Sequence, residues 1–254
     1  MHNMNNLYRY STYSMAKRLF DIMVAVTGFL VTFPIMAISI LAVWLSDLHN
    51  PFYLAIRTGK GGRPFRMLKI RSMIVNADSK KVWATATDDQ RITPIGKLVR
   101  SCKLDELPQL WNVIVGDMSL VGPRPLAPDE TAVYTDAEKA LLSIRPGITD
   151  IASIVFADEG ELLAGCTNPT TEYDRLIRPW KSRLGLLYVH KRSIKIDIEL
   201  VLITLVVIIN KELGLHCLNK LMRAIGADEA LLQIASRKHP IPIISPPCIG
   251  DIDL

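Results

Sequence analysis

Apolar positions along this chain fall into one long uninterrupted run and several shorter periodic ones, and these runs predict the elements. The stretch "IMVAVTGFLVTFPIMAISILAVWL", Ile22 to Leu45, holds no charged residue. As a straight helix it would be about 36 Å long, enough for a hydrocarbon core of ~30 Å. It is too long for a signal peptide and lacks a small-residue cleavage site. Pro34 sits in its middle, where it withdraws a backbone donor and crowds the preceding turn. Thr32 offers a hydroxyl for a freed carbonyl. Basic residues flank both ends: Arg9, Lys17 and Arg18 before it, and Arg57, Lys60, Arg63, Arg66, Lys69 and Arg71 after it. Basic flanks tend to stay in the cytoplasm, which favours a helix that enters the bilayer, bends at Pro34 and returns over one that spans it.

Beyond this run, "PFYLAIRTGKGGRPFRMLKIRSM" reads as a β-hairpin, two β-compatible runs around the turn Gly59-Lys60-Gly61-Gly62. "TPIGKLVRS" reads as a helix capped by Thr93 with Pro94 in its first position. A helix from about Asp105 to Val115 follows, with Leu107, Leu110, Trp111 and Ile114 on one face. "GDMSLVGPRP" reads as extended and loop-like, and "RPGIT" as a turn. Helical patterns cover about 129–143, 172–193, 196–213 and 218–235. The run "LVLITLVVII", Leu200 to Ile209, is too short to span a bilayer and is either a core or an interfacial helix. The tail "SRKHPIPIISPPCIGDIDL" either extends along the surface or is disordered. The expected architecture is α+β and mainly helical. A re-entrant membrane helix-break-helix (1–48) leads into a catalytic domain with a β-hairpin (49–235) and a Pro-rich tail (236–254).

Composition sharpens this picture in two ways. Of 254 residues, 49 % are apolar and 22 % charged, so the apolar excess is concentrated in the N-terminal run. The net charge of +5 points to an anionic partner, either phospholipid or a phosphorylated substrate. Nucleic acid is set aside, because aromatics make up 7 % and no recognition-motif spacing occurs. The four cysteines are far apart, which argues against a zinc site or disulfide framework and for a reducing compartment.

Candidate chemistry gathers around "CKLDELPQLWNV". On its own the Asp105-Glu106 pair is an ordinary helix start. Yet Arg124 stands between Pro123 and Pro125, whose rings stiffen the backbone and hold its guanidinium in one direction, suited to bidentate phosphate contact. Lys69, Arg71, Arg100 and Arg145 are further basic candidates, each of which also reads as a solvated charge. A carboxylate pair, several arginines and a membrane base together suggest a magnesium-bound diphosphate handled at a lipid surface.

"KRLFD", the proline-interrupted apolar run, "FRMLKIRSM", "LDELPQLWNVIVGDMSLVGPRPL" and "RPGIT" occur in an order that resembles the bacterial sugar transferases. These are the small-form monotopic polyprenyl-phosphate sugar-1-phosphate transferases. The resemblance implies transfer of a sugar 1-phosphate from a UDP-sugar to polyprenyl phosphate, with UMP released, at the bacterial inner membrane with the catalytic domain facing the cytoplasm. It implies Asp105 as nucleophile and Mg2+ ligand, and Glu106 as its dyad partner. Arg124 matches a phosphate-binding arginine, and Lys69 and Arg100 match basic residues lining the site. Arg18 and Asp21 match an interfacial pair beside the lipid phosphate. Homo-oligomerisation is left open. Two places depart from the pattern. Phe33-Pro34 replaces a Ser-Pro break, and "DIASI" follows "PGIT" where G-W-A-Q-V is common, so the sugar is the inference that transfers least. The rival readings are a membrane-bound phosphohydrolase and a non-catalytic basic scaffold.

Overall fold

A computed structural model describes residues 2–77, 85–248 and 250, with side chains from residue 13 onward. The side chain of Arg9 and the last four residues of the tail lie outside this described set. Helix α1 runs from His2 to Asp47 without a non-helical break, with Pro34 inside it. The expected interruption at Pro34 is therefore not seen as a change of secondary structure. Nor does Thr32 serve the carbonyl that Pro34 frees: its hydroxyl donates to Gly28, one turn back, at 2.7 Å. Residues 13–47 make this the one helix among the described residues long and apolar enough to cross a membrane, and 17 % of its most apolar window is buried.

Strands β1 (Phe52–Thr58) and β2 (Pro64–Ile70) form the expected antiparallel hairpin, in register from Phe52 opposite Ile70 to Thr58 opposite Pro64. Gly61 and Gly62 at its tip take positive φ, which lets the chain reverse without a Cβ penalty. Helix α2 (Pro94–Ser101) starts as expected, with the Thr93 hydroxyl accepting from the Gly96 N–H at 3.0 Å. The next segment differs from its expectation. A 3₁₀ turn, Leu104–Glu106, precedes helix α3 (Gln109–Val115), and Asp105 caps nothing. Lys103 in the left-handed region turns the chain so that Asp105 faces inward rather than along the helix axis. Gly116, at φ 101°, closes α3.

"GDMSLVGPRP" and "RPGIT" turn out to be partners. Their cores form strands β3 (Ser119–Val121) and β4 (Gly147–Thr149), paired in parallel. Pairing distant in sequence carries no local signal, so both read as loop. The expected helix over 129–143 is likewise split into α4 (Pro128–Ala132) and a 3₁₀ turn, Glu138–Ser143. Glu138 is fully buried and bonded by Arg178, Ser182 and the Thr135 N–H, contacts that hold the chain out of a continuous helix.

Short helices α5 (Ile151–Val155), α6 (Glu159–Leu162) and α7 (Pro169–Glu172) lead through a π turn at Tyr173–Ile177 into α8 (Arg178–Lys191). Helices α9 (Ile194–Ile209), α10 (Lys211–Ala224) and α11 (Glu229–Ser236) complete the order. Asn210 caps α10 by accepting from the Leu213 N–H at 3.0 Å, which moves the α9–α10 boundary from the one the apolar pattern suggests. The main core gathers α5, α8, α9 and α10 around Leu184, Leu187, Tyr188, Leu200, Leu218 and Met222. The tail lies on this core: the Pro242, Ser245 and Pro247 carbonyls accept from Trp180, Arg183 and Thr135.

Candidate active site

The hairpin, the 3₁₀ turn and the segment after β3 converge on the acidic pair. Strand β2 delivers Lys69 to it. Asn112 of α3 fastens that strand, accepting from the Leu68 N–H at 2.9 Å and donating to the Arg66 carbonyl at 2.8 Å. Strand β3 aims the chain so that Arg124 arrives from the other side. Glu106 is then held twice: the Lys69 ammonium donates to its Oε1 at 3.1 Å, and the Arg124 guanidinium grips both carboxylate oxygens, with Nη1 to Oε2 at 3.2 Å. Asp105, 6 % exposed, has no hydrogen-bond partner among the described residues.

The electrostatic states of the two carboxylates diverge accordingly. Burial pushes Glu106 upward, yet Arg124 and Lys69 overcome it and hold the carboxyl well below its usual range. Asp105 goes the other way: burial raises it, the adjacent Glu106 adds to the rise, and Lys69, Arg100 and Arg124 only partly oppose it. Burial pushes the Lys69 ammonium down, while Glu106 raises Arg124. Five of the charged groups singled out from the sequence thus form one cluster: Asp105, Glu106, Lys69, Arg124 and, at the level of field rather than contact, Arg100.

The other candidates stand elsewhere. Arg71 clamps Asp47 at the end of α1 through two bonds of 2.7 Å and also donates to the Asn50 carbonyl. Arg145 donates to the Gly116 carbonyl at 2.9 Å, at the far end of α3 from the pair. Arg18 donates to the Val113 and Ile114 carbonyls at 2.6 and 2.9 Å, which satisfies the open end of α3. Asp21, buried beside Lys17, accepts from the Ser119 hydroxyl and the Leu120 N–H and so docks β3 on α1. Pro34 lies exposed on α1.

Beside Arg124 opens a cleft walled by Tyr134, Asp150, Tyr173 and Lys181, of which the sequence had marked only Asp150, as the first residue of "DIASI". Tyr134, Tyr173 and Lys181 carry no motif. They meet only because α5, the π turn and α8 pack together. For a divalent cation, Asp105 supplies one unpartnered hard oxygen, and no group of three or more His, Cys, Asp or Glu among the described residues is placed to hold a metal. A lone carboxylate is the smallest protein share of a Mg2+ shell, whose remainder would come from substrate phosphates and water.

The family model described as "Bacterial sugar transferase" matches residues 12–211. A galactosyl transferase, CpsE, of Streptococcus agalactiae is 36 % identical over 80 % of this chain and 44 % of its own length. A putative undecaprenyl-phosphate N-acetylgalactosaminyl 1-phosphate transferase of Bacillus subtilis is 42 % identical over 49 % of this chain and 67 % of its own. A UDP-glucose:undecaprenyl-phosphate glucose-1-phosphate transferase of Klebsiella pneumoniae is 32 % identical over 74 % and 39 %. The chain thus spans less than half the length of the first and third of these relatives. The matched residues contain the acidic pair, its two cations and the strands that bring them together, and the chain belongs to the bacterial sugar transferase family.

Proposed function

We propose that this protein transfers a sugar 1-phosphate from a UDP-sugar to polyprenyl phosphate, in two displacements at Asp105. One observation carries this reading: of two adjacent carboxylates, Glu106 is saturated by Arg124 and Lys69, and Asp105 has no partner among the described residues. A carboxylate meant to attack phosphorus needs free lone pairs, and its neighbour can then position the cations. In the first displacement an Asp105 oxygen bonds to the β-phosphorus, the bond to the bridging oxygen breaks, and UMP leaves with that electron pair. In the second, a phosphate oxygen of the polyprenyl phosphate attacks the same phosphorus, and the Asp105 carboxylate is released. Lys69 and Arg124 stabilise the charge that develops on the phosphoryl oxygens. A bound Mg2+ would neutralise diphosphate charge and ease departure of UMP.

The activities on undecaprenyl phosphate named for the Bacillus subtilis and Klebsiella pneumoniae relatives support the lipid acceptor. The placement of α1 supports a cytoplasmic site at a bilayer with both helix ends on one side. Before Pro34, Lys17 pairs with the buried Asp197 at 3.0 Å and Arg18 holds α3. After it, Met36 and Val43 pack with Ile70 and Val99, and Asp47 pairs with Arg71. Both ends of the apolar run therefore rest on the same body. A phosphohydrolase passing the phosphoryl group to water would use the same first displacement.

The test is an assay of the purified protein with UDP-sugars, Mg2+ and polyprenyl phosphate. UMP release together with a lipid-linked product is expected, and Asp105→Asn should abolish both. Release of UMP and free sugar 1-phosphate independent of lipid would select the hydrolase instead, and full turnover in Asp105→Asn would remove the nucleophile.

A further inference from the structure

The cleft beside Arg124 is built from groups that the two displacements do not use. Its cations are paired off: Arg178 holds Glu138 at 3.0 Å, and Lys181 holds Glu159 and lies 5.2 Å from the centre of the Tyr173 ring. Among the described residues Asp150, 2 % exposed, is held only by Ser153, whose backbone N–H donates to its Oδ1 at 2.6 Å. Tyr173 is 5 % exposed, and its hydroxyl has no partner among the described residues. Burial pushes the Asp150 carboxyl up, opposed by Ser153 and then by Lys181 and Arg124, which places all three within electrostatic reach.

A phosphate does not suit the part of the cleft beyond Arg124, because Arg178 and Lys181 are paired with Glu138 and Glu159 and a buried carboxylate faces it. A ring bearing several hydroxyls does suit it. Hydroxyls donate to a carboxylate, an aromatic edge offers an apolar wall, and a second hydroxyl such as that of Tyr173 can pair with another ring oxygen. The geometry points to Asp150 as the residue that recognises a polyhydroxylated ring attached to the diphosphate, seated against Tyr173 while Arg124 takes the adjoining phosphate. The inference deepens the transferase reading and rests on it for the identity of the diphosphate.

Two rings are attached to such a diphosphate, the ribose of the nucleotide and the transferred sugar, and equilibrium binding separates them. Full-length protein carrying Asp105→Asn, which blocks chemistry, is titrated with UDP, UDP-glucose and UDP-galactose, with and without Asp150→Asn. Asparagine still caps α5, so the fold should be spared. Asp150→Ser, which also caps, checks that the effect follows the lost carboxylate. Loss of a charge-assisted hydrogen bond should weaken binding roughly tenfold or more. Weakening of UDP and UDP-sugars alike assigns the ribose, and weakening of a UDP-sugar alone assigns the transferred ring. Unchanged affinity for all three probes in both variants overturns the inference, as does failure of every probe to bind the parent. Binding needs no turnover, so a protein that binds through Asp150 but releases no UMP would sink the transferase reading and leave this subsite standing.

Discussion

Asp105 and Glu106 are adjacent in the chain, and their surroundings drive them to opposite electrostatic states. Glu106, whose carboxyl is held well below the usual range by Arg124 and Lys69 against the opposing effect of burial, contributes stability above its unfolded pKa of ~4.3. That contribution is lost as pH falls through the depressed folded value. Asp105 is raised, first by burial, so above its unfolded pKa of ~3.9 its ionised form opposes folding. The corresponding amides should therefore shift stability in opposite directions. Near pH 7.5, Glu106→Gln leaves two cations without their carboxylate and should cost roughly 3 kcal/mol. Asp105→Asn should raise the melting temperature while removing activity, a trade expected where a site stores an uncompensated charge. Thermal melts of both variants in detergent check this. A destabilised Asp105→Asn would contradict the unpartnered state of the carboxylate. Neither state was legible in the sequence, where both residues read as a helix start. Their difference depends on Lys69 and Arg124, whose separation from the pair only folding removes.

At the scale of elements, β3 and β4 decide where Arg124 sits. The two backbones approach so closely at Gly122 and Gly147 that a Cβ on Gly147 would overlap the Gly122 backbone, with its Cα at 2.7 Å. Only glycine permits this contact. Gly147→Ala should therefore push β4 from β3 at a cost of about 1–3 kcal/mol and displace the segment that carries Arg124. The expected readout is a lower melting temperature together with weaker UDP binding. Unchanged binding in a folded variant would show that Arg124 is positioned by other contacts. The hairpin and α2 were readable beforehand because a glycine turn and a Thr-Pro cap are local signals. The β3–β4 pair was not, since its partners meet across the whole segment from α4 to the second 3₁₀ turn.

For the molecule as a whole, α1 is the feature with the largest consequence. Leu202, Leu205, Ile208 and Ile209 of α9 are exposed, as are Leu30, Val31 and Ile38 of α1, so two elements present apolar surface that the core does not cover. The contacts of α1 before and after Pro34 with one body fit the proposed placement of both ends of the apolar run on one side of a bilayer. In a background free of the four native cysteines, single cysteines placed at Asn5 and at Lys60 should both react only with reagent on the cytoplasmic face. Reaction at position 5 from the opposite face would establish an ordinary span and leave the chemistry at Asp105 untouched.

Local patterns along the chain were enough for the apolar run, the hairpin, the helix caps and the run of motif residues that mark the family. Each of these is local: a composition, a period, a turn residue or a contiguous string. The sequence also singled out Asp105, Glu106, Lys69, Arg100 and Arg124, because charges beside prolines and apolar runs stand out in one dimension. Long-range packing sets which of the basic residues meet the acidic pair and which brace the scaffold, as Arg18, Arg71 and Arg145 do by bonding backbone carbonyls and Asp47. It alone joined β3 to β4, laid the tail over α8 and opened the cleft at Asp150. The reason is physical: a side chain's protonation, partner and accessibility are set by neighbours within a few ångströms, and most of those neighbours are dozens of residues away along the chain.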